Sequence, residues 1–259
     1  IENKMQLVPP SKTTQTEQSD SIQAAYGYLE SGNFQKAYAL GQMLLRTQAH
    51  LPELHCLLAR ALFHLGHYDK ATVFVQEALK IDSQHLESLI THGRILLARH
   101  KFDDAARVFE YSFCLQPSIV QTHFWWVETY RSQGKSHLLV SHIAKRHGQK
   151  PAAAMAIVSA LLDLGERERA FSVLHGALTT HQGFTDYFYQ FAKVLADFHQ
   201  YTKAARILKW LVDRDPDNEG LHNTWLQVIW KQGNLKAIRA ASILATDRFP
   251  NNPDFNQIR

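Results

Sequence analysis

The stretch Gly66-His67-Tyr68-Asp69-Lys70-Ala71 returns along the chain in recognisable copies. Upstream stands Gly32-Asn33-Phe34-Gln35-Lys36-Ala37, and downstream His100-Lys101-Phe102-Asp103-Asp104-Ala105. Later copies are Gly134-Lys135-Ser136 with Leu139, Gly165-Glu166-Arg167 with Ala170, His199-Gln200-Tyr201 with Ala204, and Gly233-Asn234-Leu235 with Ile238. The leading residues (32, 66, 100, 134, 165, 199, 233) step by 34, 34, 34, 31, 34 and 34. A fixed period of this length marks stacked structural repeats. Seventeen residues after the turn comes Pro117, Pro151, Pro216 or Pro250, with Ala49, Ser83 and Gln182 in the other copies. Proline there closes one helix and opens the next. Between the markers the apolar spacing is helical, as in Ala71, Val75, Ala78 and Leu79. No sustained alternation and no Asn-Gly or Asp-Gly pair signals a strand hairpin.

Composition sets the outer bounds. With 259 residues, 45% apolar and 20% charged, the chain can bury a core and is not disordered in bulk. Eight prolines and 12 glycines exclude a collagen-like or linker-dominated chain. A net charge of +4 from 28 basic and 24 acidic residues, without clustering, disfavours nucleic acid as the partner. The longest apolar run, Ala152 to Leu162, is interrupted by Ser159 and stopped by Asp163. It falls short of the roughly 20 residues a membrane span needs. Cys56 and Cys114 make no disulfide framework. The chain opens on Ile1 rather than methionine, which leaves room for an upstream signal or anchor. The default expectation is a soluble, cytoplasmic fragment.

These copies resemble the tetratricopeptide repeat (TPR) family, whose unit is a 34-residue antiparallel helix pair. The resemblance implies an all-α, right-handed α-solenoid of about seven antiparallel helix pairs, a TPR superhelix. The repeats are 18–51, 52–85, 86–119, 120–150, 151–184, 185–218 and 219–252, with a polar tail or linker at 1–17 and a C-terminal tail at 253–259. Family position 8, a small residue, reads Ala25, Ala59, Gly93, Val127, Val158, Ala192 and Leu226. Position 20 reads Ala37, Ala71, Ala105, Leu139, Ala170, Ala204 and Ile238. The fourth repeat departs: it is three residues short and carries Leu139 where alanine is expected, which predicts looser packing of its second helix. In the seventh, Leu226 and Ile238 predict a wider helix pair. The helix at 235–245 keeps an apolar remainder, which predicts cover from the tail after Pro253, a second copy of the chain or an extension.

No chemistry of catalysis is legible. The chain has no phosphate-binding glycine loop, no His-Glu-x-x-His and no Gly-x-Ser-x-Gly. Fifteen histidines invite a metal reading, but His137, His142 and His147 step by five and so rotate about 140° apart on a helix. They are read as ordinary half-buried or surface residues. Cys56 is read as a small apolar residue. No enzyme activity, metal or cofactor is expected. Trp126, Phe191 and Trp225 fall at one repeat position and read as inter-helix packing.

The resemblance also implies that positions 2, 5, 9 and 12 of each first helix line a concave partner-binding face. The residues singled out there are Cys56, Ile90, Phe124, Met155 and Tyr189 at position 5, and Arg60, Arg94, Glu128 and Lys193 at position 9, with Trp125 beside them. An apolar row beside a row that is positive in repeats 2 and 3 suits a protein or peptide with an apolar stripe and acidic flanks. The family's clamp for chaperone tails is not matched: its positions in repeats 1 to 3 hold Ile22, Tyr26, Leu57, Glu87 and Thr91. The expected function is a non-enzymatic scaffold or adaptor. Two other readings stay open, a bacterial envelope-assembly TPR of pilus or secretion biogenesis, and the interaction arm of a larger enzyme.

Overall fold

The structure is a computed structural model that describes residues 12–148, 152–180 and 184–256, without the side chains of 12–19, 178–180, 184, 254 and 256. Fourteen helices run in seven pairs. They are α1 (Lys12–Glu30) with α2 (Phe34–Leu45), α3 (Pro52–His64) with α4 (Tyr68–Ile81), α5 (Leu86–Ala98) with α6 (Phe102–Leu115), and α7 (Val120–Arg131) with α8 (Ser136–His147). Then come α9 (Ala153–Asp163) with α10 (Arg167–Thr180), α11 (Phe184–Asp197) with α12 (Tyr201–Arg214), and α13 (Glu219–Gln232) with α14 (Leu235–Arg248). A short α15 (Pro253–Asn256) follows. Among the described residues there is no strand, and the fold is an all-α solenoid of helix pairs. It divides into two compact units between Val108 and Phe109.

The seven residues that set the sequence period are the seven described residues with left-handed backbone. Gly32, Gly66, Gly134, Gly165 and Gly233 have φ between 68° and 80°, and His100 and His199 have 58° and 59°. The turn closes the first helix of each of the first six pairs by a Schellman bond. Its amide donates five residues back, as in His67 N to Leu62 O at 2.9 Å, Lys101 N to Leu96 O at 2.9 Å and Gln200 N to Leu195 O at 2.8 Å. Glycine suits this backbone because no Cβ meets the neighbouring carbonyl; an L side chain there costs roughly 1–2 kcal/mol.

Every residue at the two small positions is buried. The exceptions to smallness are absorbed differently. Leu139 is wholly buried beside Ile143, yet α8 packs more on α9 than on α7, in line with the looser pairing expected of the short repeat. Leu226 and Ile238 are buried too, and with Trp230 they line an apolar notch of about 230 Å³. Residues 149–151, where the short repeat ends, lie outside the described residues.

Two boundaries move. The first helix begins at Lys12, inside the stretch read as tail. At the other end α15 folds back: Phe255 is buried, its ring 5.8 Å from that of Phe249, and its carbonyl accepts from Thr246 Oγ1 at 3.3 Å. The tail thus covers part of α14, while Leu235, Ile243 and Leu244 stay exposed. The apolar run at 152–162 becomes α9, buried on nearly all sides against α7, α8 and α10. A helix that is apolar all round belongs in an interior.

Three histidines join successive repeats by one device. His55 Nε2 bonds Ala49 O at 2.9 Å, His123 Nε2 bonds Pro117 O at 2.7 Å and His222 Nε2 bonds Pro216 O at 3.0 Å, each six residues back. The carbonyl lies in the loop that follows the preceding second helix, so each imidazole ties that loop to the next first helix.

Candidate partner-binding faces

In the first unit α1, α3 and α5 pack side by side and present Tyr26, Arg60 and Arg94 at equivalent repeat positions. Arg60 sits over the Tyr26 ring at 5.9 Å and reaches Glu87 at 3.6 Å. Arg94 sits over the Phe63 ring at 4.7 Å. Each guanidinium thereby lies over an aromatic ring, a cation–π arrangement. Burial pulls Arg94 down to about 10, and the neighbouring Arg60 charge adds to the shift. His64, stacked on Phe34 at 4.4 Å, is lowered by burial and then by the same two arginines. Three basic side chains therefore share one field on this face. Ile90 is half-buried. Cys56 is not on the surface: it is wholly buried, 3.7 Å from Thr91 Oγ1, with its thiol pushed up to about 11 by burial. Its place is the seam between α3 and α5.

In the second unit the expected face is closed by the chain itself. Helix α11 packs directly on α7, two repeats away. Phe198, just past the end of α11, stacks on Phe124 at 4.1 Å and meets Trp125 edge-on at 4.9 Å. Phe124 is left 4% exposed and Trp125 half-buried. Met155 is wholly buried within α9. Glu128 is held by Arg131 at 2.5 and 2.8 Å and accepts from Gln200 at 3.4 Å. Below it Lys203 and Asp163 form a largely buried ion pair at 2.6 Å. Burial lowers the Lys203 ammonium, and Asp163 partly restores it. Phe124, Met155 and Glu128 are thus structural, because their neighbours fill the space a partner would need. Tyr189 and Lys193 remain accessible on α11, with Lys193 over the Tyr189 ring at 5.6 Å and Tyr189 Oη 2.9 Å from Thr224 Oγ1.

A family model described as "Anaphase-promoting complex, cyclosome, subunit 3" matches residues 30–112. A TPR repeat-containing protein of Bacillus subtilis (strain 168), YpiA, is 20% identical over 208 residues, covering 78% of this chain and 49% of that protein. Together with seven in-phase helix pairs closed by left-handed turns, this decides the family. The chain is a tetratricopeptide-repeat protein. Among solved structures, a pilF protein of Pseudomonas aeruginosa is 17% identical, with 79% of this chain and 95% of that one covered at a TM-score of 0.49. A thermophilic TPR protein of Thermus thermophilus is 16% identical, with 69% and 98% covered at a TM-score of 0.47. The chain spans about half the length of the curated relative it matches.

Like other TPR proteins, the chain has the fold of a protein-interaction scaffold. Among the described residues no helix is long and apolar enough to cross a membrane. One cluster joins two of the α8 histidines. His142 and His147 both bond Glu110 Oε1, at 3.1 and 3.0 Å, and Arg146 joins them at 3.1 Å. Five residues apart on α8 they diverge in angle, but Glu110 on α6 lies between them and both rings lean toward it. Burial raises the Glu110 carboxyl, and the three donors outweigh it, leaving it below its ordinary value. Sequence reasoning missed this cluster and Phe198. The repeat-joining histidines did leave a signal: His55, His123 and His222 all occupy position 4.

Proposed function

We propose that this TPR protein is a non-enzymatic scaffold that holds an extended partner segment on the first-helix face of repeats 1 to 3. Carboxylates of the segment lie against Arg60 and Arg94, and its apolar side chains lie beside Ile90. The observation that carries this reading is the pair of ring-backed arginines at one repeat position, set in a shared positive field with His64. Aromatic backing fixes a guanidinium while leaving its hydrogen-bonding edge for a carboxylate. On the second unit, Tyr189 and Lys193 are proposed as further contacts.

The test is selection of binders from a peptide library against the intact chain, followed by substitution. Arg94→Ala should cost a selected acidic peptide roughly 1–3 kcal/mol, a hot-spot magnitude. The loss should shrink in high salt, since exposed charges are screened within about 10 Å at 0.1 M. A footprint confined to the second helices α2, α4 and α6 would overturn the reading.

A further inference from the structure

The second-helix side of repeats 5 to 7 carries a cleft of about 440 Å³, walled by Phe171, Trp210, Trp225 and Ile229. Two ridges meet along it. On α10, Arg167, Phe171 and His175 follow at i, i+4 and i+8; on α12, Arg206, Trp210 and Arg214 do the same. They match rung by rung. Arg206 feels the charge of Arg167, Phe171 and Trp210 share the cleft wall, and Arg214 Nη1 lies 3.4 Å from His175 Nδ1. Arg214 also covers the Trp210 ring at 5.6 Å.

The charge along these ridges is unbalanced. Lys209 lies over Trp225 at 5.7 Å and is neutralised by Asp213 at 2.5 Å. For Arg167 and Arg206, by contrast, no carboxylate stands within ion-pair distance among the described residues. Arg206 lines the cleft, and its charge is not required by helix packing alone. We propose that this cleft is a second docking site, for a partner segment that places one carboxylate against Arg206 and one aromatic or large aliphatic side chain against Trp210 and Trp225. A carboxylate matches the guanidinium fork, and the indole walls match an apolar side chain. A nucleic-acid strand fits worse, because Asp213 stands in the wall and the basic groups do not continue as a track. The site stands on different helices from the first-helix face and does not depend on it.

The probe is a fluorescein-labelled peptide with a central Glu-Phe-Glu and Gly/Ser flanks, titrated by anisotropy against the intact chain. The Gln-Phe-Gln and Glu-Ala-Glu versions should each bind about tenfold more weakly or worse, the factor carried by one contact of about 1.4 kcal/mol. Arg206→Gln, a partly exposed position whose folding is checked by circular dichroism, should weaken the Glu-Phe-Glu peptide by at least about tenfold. Arg94→Gln should leave it unchanged. Absence of saturable binding, indifference to Arg206→Gln, or loss on Arg94→Gln alone would each refute the second site. Stronger binding of an oligothymidine probe at the same residues would refute the peptide assignment.

Discussion

Phe198 stacks on Phe124 with ring centroids 4.1 Å apart and planes 20° from parallel, although the two residues belong to repeats 6 and 4. Repeat stacking by itself brings together only neighbours, so this contact fixes a closure of the second unit. Phe198→Ala is expected to lower stability by about 1–2 kcal/mol, the aromatic pair plus part of the buried ring area. Urea titration followed by circular dichroism measures it. An unchanged midpoint would mean that the Glu128–Gln200 contact and the Lys203–Asp163 pair, which joins α12 to α9, hold the closure without the rings.

The left-handed turns make a paired prediction. Gly66→Ala should cost about 1–2 kcal/mol, because φ is +80° and the penalty is conformational: beyond its chain neighbours a Cβ at Gly66 meets nothing within 4 Å. His100→Gly should be neutral to stabilising by up to about 1 kcal/mol, since relief of φ +58° is offset by a looser unfolded chain. Thermal melts of both variants decide it, and a strongly destabilised His100→Gly would show that the imidazole does more than mark the turn.

Burial holds His123 neutral and pulls it down to about 4, against a smaller opposite effect of the Pro117 carbonyl. The unfolded chain therefore takes up a proton at this site below about pH 6.5, where the folded chain does not. Stability at this site is complete above that pH and falls as the pH drops toward 4, by roughly 2–3 kcal/mol at pH 4.5. His123→Phe should lose about 1 kcal/mol at pH 7 with the hydrogen bond and lose less than the parent chain on acidification. Denaturant midpoints at pH 7 and 4.5 make the comparison; parallel losses in both proteins would exclude His123 as the origin.

Much of the architecture is written locally. A turn that needs a left-handed residue, and helices that need a small residue where their backbones approach, each impose a choice at a fixed spacing, so the helix pairs can be counted from Gly32 to Gly233. The site was less legible. Arg60 and Arg94 could be placed because equivalent positions in adjacent repeats point the same way. Cys56 and Met155 could not, since burial at position 5 depends on how closely the next first helix approaches. Phe124 lost its surface to Phe198, a residue near a turn whose partner is set by the curvature of repeats 4 to 6, and curvature has no local signature. Glu110 shows the same limit, its three donors lying a full repeat further along.

The enclosure of α9 changes how the second unit should come apart. In a linear array each repeat couples only to its neighbours, so the ends can fray while the middle persists. The direct contact of α7 with α11 adds coupling beyond nearest neighbours, while α9 is buried by α7, α8 and α10. Repeats 4 to 6 are thereby bound into one cooperative block, with α9 buried by repeats 4 and 5 and repeat 6 tied to it through α7. Repeats 1 to 3 have no such bracket among the described residues and retain the graded, end-first melting of a linear array. In hydrogen exchange the amides of α9 should open together with those of α7 and α11, with one free energy and one denaturant dependence.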